Sequence, residues 1–299
     1  MSGKYKEILQ RYNLFAHILK YDMRQIHRQI HRQPMIYYSF INKATHQLSC
    51  DNINPFSIIL RRVMAKQAVA FLEKILKKVE ELCASGQCAA AVVPLQFSIN
   101  LGDLKSRALK AWMMLEGREG VAKDRNVAFE LVKEGARLGC HHCQGVLAVC
   151  YLYGYGCVRD YAQSLELARK SSGLGSRYGQ LTLGRLYNLG LGGVAEDYAQ
   201  ALAFYRLAAA QTLDEAQFTL GLMKEEGHGV DEDEYEDEAL RLCQLAAAQG
   251  LPAALIYVAA CYEVGRRIPK SKMEAIRWYM RAQAAGHPRA AAALRRLFA

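Results

Sequence analysis

From about residue 103 onward, apolar positions recur in two kinds of block separated by glycine. YGQLTLGRLYNL at 178–189 typifies the first kind: Leu181, Gly184, Leu186 and Tyr187 fall on one side at helical spacing. YAQALAFYRLAAA at 198–210 typifies the second and is dense in alanine and leucine, which are strong helix formers. The intervening glycines cannot continue a helix cheaply and readily take positive φ. An Asp follows them, and its carboxylate can accept from the free amides that open the next helix. The pattern predicts helix, glycine loop, helix, short turn.

This unit recurs five times at a period of 36 to 38 residues. Its markers are Gly117, Gly120, Asp124, Ala128 and Gly139; Gly154, Gly156, Asp160, Ser164 and Gly175; Gly190, Gly193, Asp197, Ala201 and Thr212; Gly227, Gly229, Asp233, Ala239 and Gly250; and Gly265, Ile268, Ser271, Ala275 and Gly286. The closing residue lies eleven positions after the Ala or Ser in every unit. A helix pair cannot bury its apolar face alone, whereas stacked neighbours can, so a fixed period in this range predicts a solenoid.

Leu183-Gly184, Tyr187, Leu220-Gly221 and Ala208-Ala209, with the glycine, Asp and Ala markers, resemble the Sel1-like repeat family of the tetratricopeptide superfamily. The resemblance covers residues 103 to 299. It implies an all-α, right-handed α-solenoid of five antiparallel helix-pair repeats over 103–286, with a helical N-terminal extension. Unit one departs from the pattern at Lys110-Ala111, unit four has two extra residues before Ala239, and unit five carries Arg266, Arg267 and Pro269 in its loop. The resemblance also implies an adaptor or scaffold role, with the first helix of each pair lining a concave groove. Aligned on the Leu-Gly-Tyr core, the groove positions are His142, Gly145, Val149 and Leu152; Tyr178, Leu181, Arg185 and Asn188; Glu215, Phe218, Leu222 and Glu225; and Ala253, Ile256, Ala260 and Glu263. That mixture of apolar anchors and polar rim suits a peptide or helix from another protein.

Charge changes the picture at the N-terminus. The chain carries +10 overall, and residues 1–66 hold eleven Lys or Arg against three acids. Arg24, Arg28 and Arg32 share one stripe of a predicted helix over 4–32. They are a candidate anion site for nucleic acid or an anionic membrane surface, with a solvated helix face as the plainer reading. On this basis residues 1–65 form a basic helical region. Residues 66–102 form a helical segment, either a degenerate repeat or an N-terminal cap, because Gly102 precedes unit one as Gly139 precedes unit two. Residues 287–299 form a capping helix. The sequence has no run of eighteen apolar residues, so no membrane span is expected, and MSGKYKEILQRYN lacks the apolar core of a secretory signal. Nine cysteines at irregular spacing fit reduced thiols in a cytoplasmic, or alternatively nuclear, protein.

Candidate chemistry is sparse. Cys140, His141, His142 and Cys143 are ligand types for zinc, but adjacent ligands at one helix start seldom close a tetrahedron, and Cys143 falls on the repeat's small-residue position. Packing as small apolar residues is the preferred reading. DEDEYEDE at 231–238 reads as a solvated loop insertion or a site for a basic partner. Phosphate-loop, nucleophile-elbow and zinc-protease motifs are missing. The sequence therefore predicts no catalytic residues, no cofactor and no enzyme, but a protein-binding scaffold.

Overall fold

The computed structural model describes residues 70, 72–118, 120–227 and 236–298. These divide into two units, one with the described residues up to 78 together with 94–103, the other with 79–93 and the described residues from 104 onward. Among the described residues there are thirteen helices and no strand. Helix α1 covers 72–84 and α2 covers Cys88–Asn100. Five pairs follow, each with an A and a B helix. They are α3 (Leu104–Glu116) and α4 (Arg125–Arg137), α5 (His141–Tyr153) and α6 (Tyr161–Gly173), α7 (Arg177–Leu189) and α8 (Tyr198–Ala210), α9 (Asp214–Glu225) and α10 (Glu236–Ala248), and α11 (Pro252–Val264) and α12 (Lys272–Ala284). A last helix, α13, spans Ala290–Phe298. In the first unit, Ile75, Leu95 and Ser98 are buried.

Each pair packs internally and against its neighbours, which makes the array a solenoid. The B helices start where the sequence places a cap. Asp124 accepts from the Asn126 and Val127 amides at 3.1 and 3.0 Å, Asp160 from Gln163 at 2.9 Å and Asp197 from Gln200 at 2.9 Å. Ser271 does the same for Glu274 at 3.2 Å. Asp233, the corresponding cap of the fourth repeat, lies outside the described residues.

Within a pair, close approach requires a small residue on the A helix. A Cβ on Gly184 would lie 2.7 Å from the Tyr205 ring, and one on Gly221 would lie 2.7 Å from the Cys243 sulfur. Between pairs, the second glycine of the A–B loop makes the tight contact. A Cβ on Gly156 would lie 2.6 Å from the Arg125 carbonyl and 2.7 Å from Phe129 Cβ, at the start of the preceding B helix. Gly192 meets Tyr161 and Leu165 in the same way, and Gly120 meets Ala89 and Val92 of α2. Thus the first turns of α2 stand to repeat one as α4 stands to repeat two.

Polar pairs repeat along the array as well. Gln211 Nε2 donates to Gln180 Oε1 at 2.7 Å, and Gln249 Nε2 donates to Gln217 Oε1 at 2.8 Å. Gln144 is the corresponding residue of repeat two, buried with its Oε1 unpartnered. The residue capping α6, where a glutamine would reach it, is the exposed Leu174. An unpaired buried carbonyl is costly, so Leu174→Gln should raise stability by about 1 kcal/mol. Equal melting temperatures for Leu174→Gln and Leu174→Ala would show that the pair does not form.

The closing turns carry a second irregularity. Gly139, Gly175, Gly250 and Gly286 have φ between 78 and 85°, and Thr212 holds the same position at φ 59°. Left-handed backbone costs a non-glycine residue roughly 1–2 kcal/mol, and more for a β-branched one, against roughly 0.5–1 kcal/mol of extra unfolded-state entropy for glycine. Thr212→Gly should therefore stabilise the chain by about 1 kcal/mol on this balance. Chemical denaturation measures it, and a loss of stability would mean that the threonine side chain compensates its own strain.

Candidate protein-interaction groove

The A helices line the inner side of the array. Trp112 on α3 reaches past repeat two to Tyr178 on α7, with ring centroids 5.1 Å apart. Arg118, just after α3, forms a buried ion pair with Asp214 at the start of α9, 96 residues away. Contacts between repeats one, three and four are possible only on the inside of a curve. The same side also receives the tip of the α1–α2 hairpin. Glu80 pairs with Arg177 at 3.2 Å, and Gly86 sits against the Ala248 carbonyl.

These contacts sort the thirteen groove residues read from the sequence that are larger than alanine. Val149, Leu152, Tyr178, Leu181 and Arg185 are interior. Tyr178 is only 2% exposed, and its hydroxyl accepts from Arg177 at 3.4 Å. The Arg185 guanidinium is ion-paired with Glu215 and lies 5.2 Å from the Tyr153 ring. Burial works against its charge and is outweighed by the Glu215 carboxylate, so its pKa rises. The other eight, His142, Asn188, Glu215, Phe218, Leu222, Glu225, Ile256 and Glu263, are partly exposed. The His142 ring stands edge-on to Tyr178 at 6.5 Å.

The accessible apolar part of this side lies on repeats four and five. The Phe218 and Tyr257 rings meet edge to face at 5.9 Å. Tyr257 donates its hydroxyl proton to Glu225, and Arg266 pairs with the same carboxylate at 2.8 Å. Burial, then the Glu225 hydrogen bond, pushes the Tyr257 phenol well above its usual range. At the far end, Glu263 accepts from Tyr279 at 2.7 Å and from Arg296 of α13 at 2.6 Å.

Sequence reasoning missed Trp112, Arg118 and Asp214. Arg118 sits in a loop with no periodic constraint, and its partner is three repeats along, so no local signal marks it. Cys143 is fully buried, as the packing reading expects, and its thiol donates to the Leu104 carbonyl at 3.4 Å, while Cys140 reaches the same oxygen at 3.6 Å. Among the described residues, no group of three or more His, Cys, Asp or Glu converges as a metal cluster. Arg24, Arg28, Arg32 and most of the acidic run lie outside the described residues. No described helix is long and apolar enough to cross a membrane.

Comparison with known proteins places the repeats. Residues 100–140, 141–176, 178–213, 214–251 and 252–287 each match the family model of the Sel1 repeat. An uncharacterized protein of Neisseria meningitidis serogroup B is 35% identical over 137 residues, which is 46% of this chain and 27% of the relative. The chain thus spans about a quarter of that relative's length. The crystal structure of a Sel1 repeat protein from Oxalobacter formigenes is similar at 26% identity and a TM-score of 0.48, over 72% of this chain and 86% of that one. A protective antigen of uropathogenic Escherichia coli with an SLR fold is similar at 28% identity and a TM-score of 0.46, over 76% and 51%.

One titration follows from the inner-side charges. Glu116 lies among Arg118, Asp214, Arg185 and Glu215, and the two arginines are already paired with the other two acids. Burial, then the Glu215 carboxylate, raises its pKa to about 7, with Arg118 opposing. A carboxyl whose folded pKa lies above its unfolded value of 4.5 binds more protons when folded between those two values. Stability should therefore fall as pH rises from about 4.5 to 7 and then level. Glu116→Gln should match the parent near pH 4.5 and exceed it by roughly 1 kcal/mol or more at pH 8, one pKa unit being about 1.4 kcal/mol. Parallel stability–pH curves for the two proteins would show that Glu116 titrates normally.

Proposed function

The chain belongs to the Sel1 repeat family, whose repeats are typically protein–protein interaction modules, and from that premise we propose that it is a non-catalytic scaffold binding a peptide or helix from another protein. The observation that carries the proposal is the accessible surface on repeats four and five. Phe218, Leu222 and Ile256 supply partly exposed apolar area there, with the partly exposed Glu263 carboxylate on the same side, while the Glu225 carboxylate is buried against Tyr257 and Arg266. Apolar anchors with a polar rim are what a bound amphipathic segment needs. Arg266 and Arg296, ion-paired with Glu225 and Glu263 and themselves largely exposed, complete a polar rim of mixed charge.

Repeats two and three contribute less to such a surface. Tyr178 and Arg185 have the residue types of interface anchors, but their side chains are spent on internal contacts with Trp112 and Arg177 and with Glu215. Truncating them would test folding rather than binding.

The direct experiment is capture of partner proteins by the full chain and by Phe218→Ala/Ile256→Ala. Loss of interface anchors of this kind weakens binding at least about tenfold. The expected outcome is that loss, with melting temperature and helix content little changed. Leu207→Ser/Leu245→Ser, two exposed positions on the B helices, should bind as the parent does. If the B-helix variant loses the partner and the A-helix variant retains it, recognition is on the outer side.

A further inference from the structure

Two cysteines at the tip of the α1–α2 hairpin form a constellation that the scaffold does not use. Helix α1 ends in a turn in which Gly86 N donates to the Cys83 carbonyl at 3.0 Å and Gln87 N donates to the Leu82 carbonyl at 2.8 Å, with Gly86 at φ 74°. These paired bonds reverse the chain within three residues and bring Cys88, the first residue of α2, back beside Cys83. The two thiols are hydrogen-bonded to each other. Both line one cleft, about 490 Å³ including its open mouth, together with Trp112, Arg118, Arg177 and Tyr178. Cys83 is the more exposed of the two, and Cys88 keeps 5% of its area exposed.

We propose that Cys83 and Cys88 are a redox dithiol, oxidised by a peroxide to an intrachain disulfide that closes the turn at the hairpin tip. The polarity of the site supports a division of labour. Cys88 is the first residue of α2 and interacts with the Arg118 guanidinium, and a helix N-terminus and a neighbouring cation are the surroundings of nucleophilic cysteines in general. Arg118 is itself favoured in its charged form by Asp214, Glu116 and Cys88, which outweigh the cost of its burial. Cys83 is the partner that keeps its proton: its hydrogen bond to Cys88, then burial, hold its thiol well above the ordinary range. Three other described cysteines are engaged elsewhere. Cys140 and Cys143 point at the Leu104 carbonyl, and Cys157 donates to the Cys150 carbonyl at 3.5 Å.

The chemistry balances without another reactant. The Cys88 thiolate attacks one oxygen of hydrogen peroxide, the O–O bond breaks and hydroxide leaves, giving a sulfenic acid on Cys88. The Cys83 sulfur then attacks the Cys88 sulfur, the S–S bond forms, the S–O bond breaks and a second hydroxide leaves. The two thiol protons convert these hydroxides to water. The dithiol loses two electrons, and the peroxide is reduced to two waters.

The test is peptide mapping of the native full chain after a brief exposure to hydrogen peroxide at neutral pH, quenched with an alkylating agent under denaturing conditions. Trypsin releases both cysteines on one peptide, residues 79–105. The expected product is that peptide unalkylated and lighter by two hydrogens, restored to the doubly alkylated form by prior reduction. It should form at least about tenfold faster in the folded than in the denatured chain, because the fold supplies the proximity. In Cys83→Ser, a dimedone adduct should accumulate on Cys88. The proposal is overturned if the peptide stays doubly alkylated while other cysteines oxidise, if it passes to sulfinic acids without the link, or if the denatured chain forms the link as fast. None of these readouts requires a binding partner, so failure here leaves the scaffold proposal untouched.

Discussion

The inner side of this array is held by the Arg118–Asp214 ion pair, which joins the end of the first A helix to the start of the fourth. Nearest-neighbour stacking alone would let a solenoid open or tighten by small rotations at each interface. A buried link between repeats one and four removes much of that freedom. The charges are nearly inaccessible to water, with side-chain exposures of 9% and 8%. A charge so placed is tolerable only while its partner is present. Trp112 against Tyr178 lies beside the link and Arg185 with Glu215 nearby, so the interior of the groove is filled by the protein's own side chains.

Where the inner side is filled, it cannot also receive a ligand, and this sets the functional argument. The filled stretch runs across repeats one to three. The accessible stretch falls on repeats four and five, where Phe218, Leu222 and Ile256 keep part of their area in contact with solvent. The hairpin tip adds to the filled part: Glu80 bonds Arg177, and Cys83 and Cys88 line the remaining cleft.

The helices themselves were legible in the sequence. Alanine-rich B helices, Asp caps at 124, 160 and 197, and the small positions Gly184 and Gly221 are local features repeated in phase, and repetition makes weak local signals strong. The closing turns were legible too, except that nothing marked Thr212 as strained until its φ was known. What escaped was the depth of each groove position. Helical register says that Tyr178 and Arg185 face inward, but whether an inward side chain meets solvent or Trp112 depends on the curvature of the stack. Curvature is set by contacts such as Arg118 with Asp214, between a loop residue and a cap residue with no periodic relation. A period of 36 to 38 residues carries no information about a contact spanning 96.

A double-mutant cycle on Arg118 and Asp214 tests this account most directly. Arg118→Met or Asp214→Leu alone leaves one buried charge unpaired, and each should cost roughly 3–5 kcal/mol of unfolding free energy. The double variant should recover much of that loss, because no buried charge remains, giving a coupling energy of at least about 2 kcal/mol. Additive effects, with the double variant losing the sum of the two singles, would contradict the claim that this pair closes the inner side of the array.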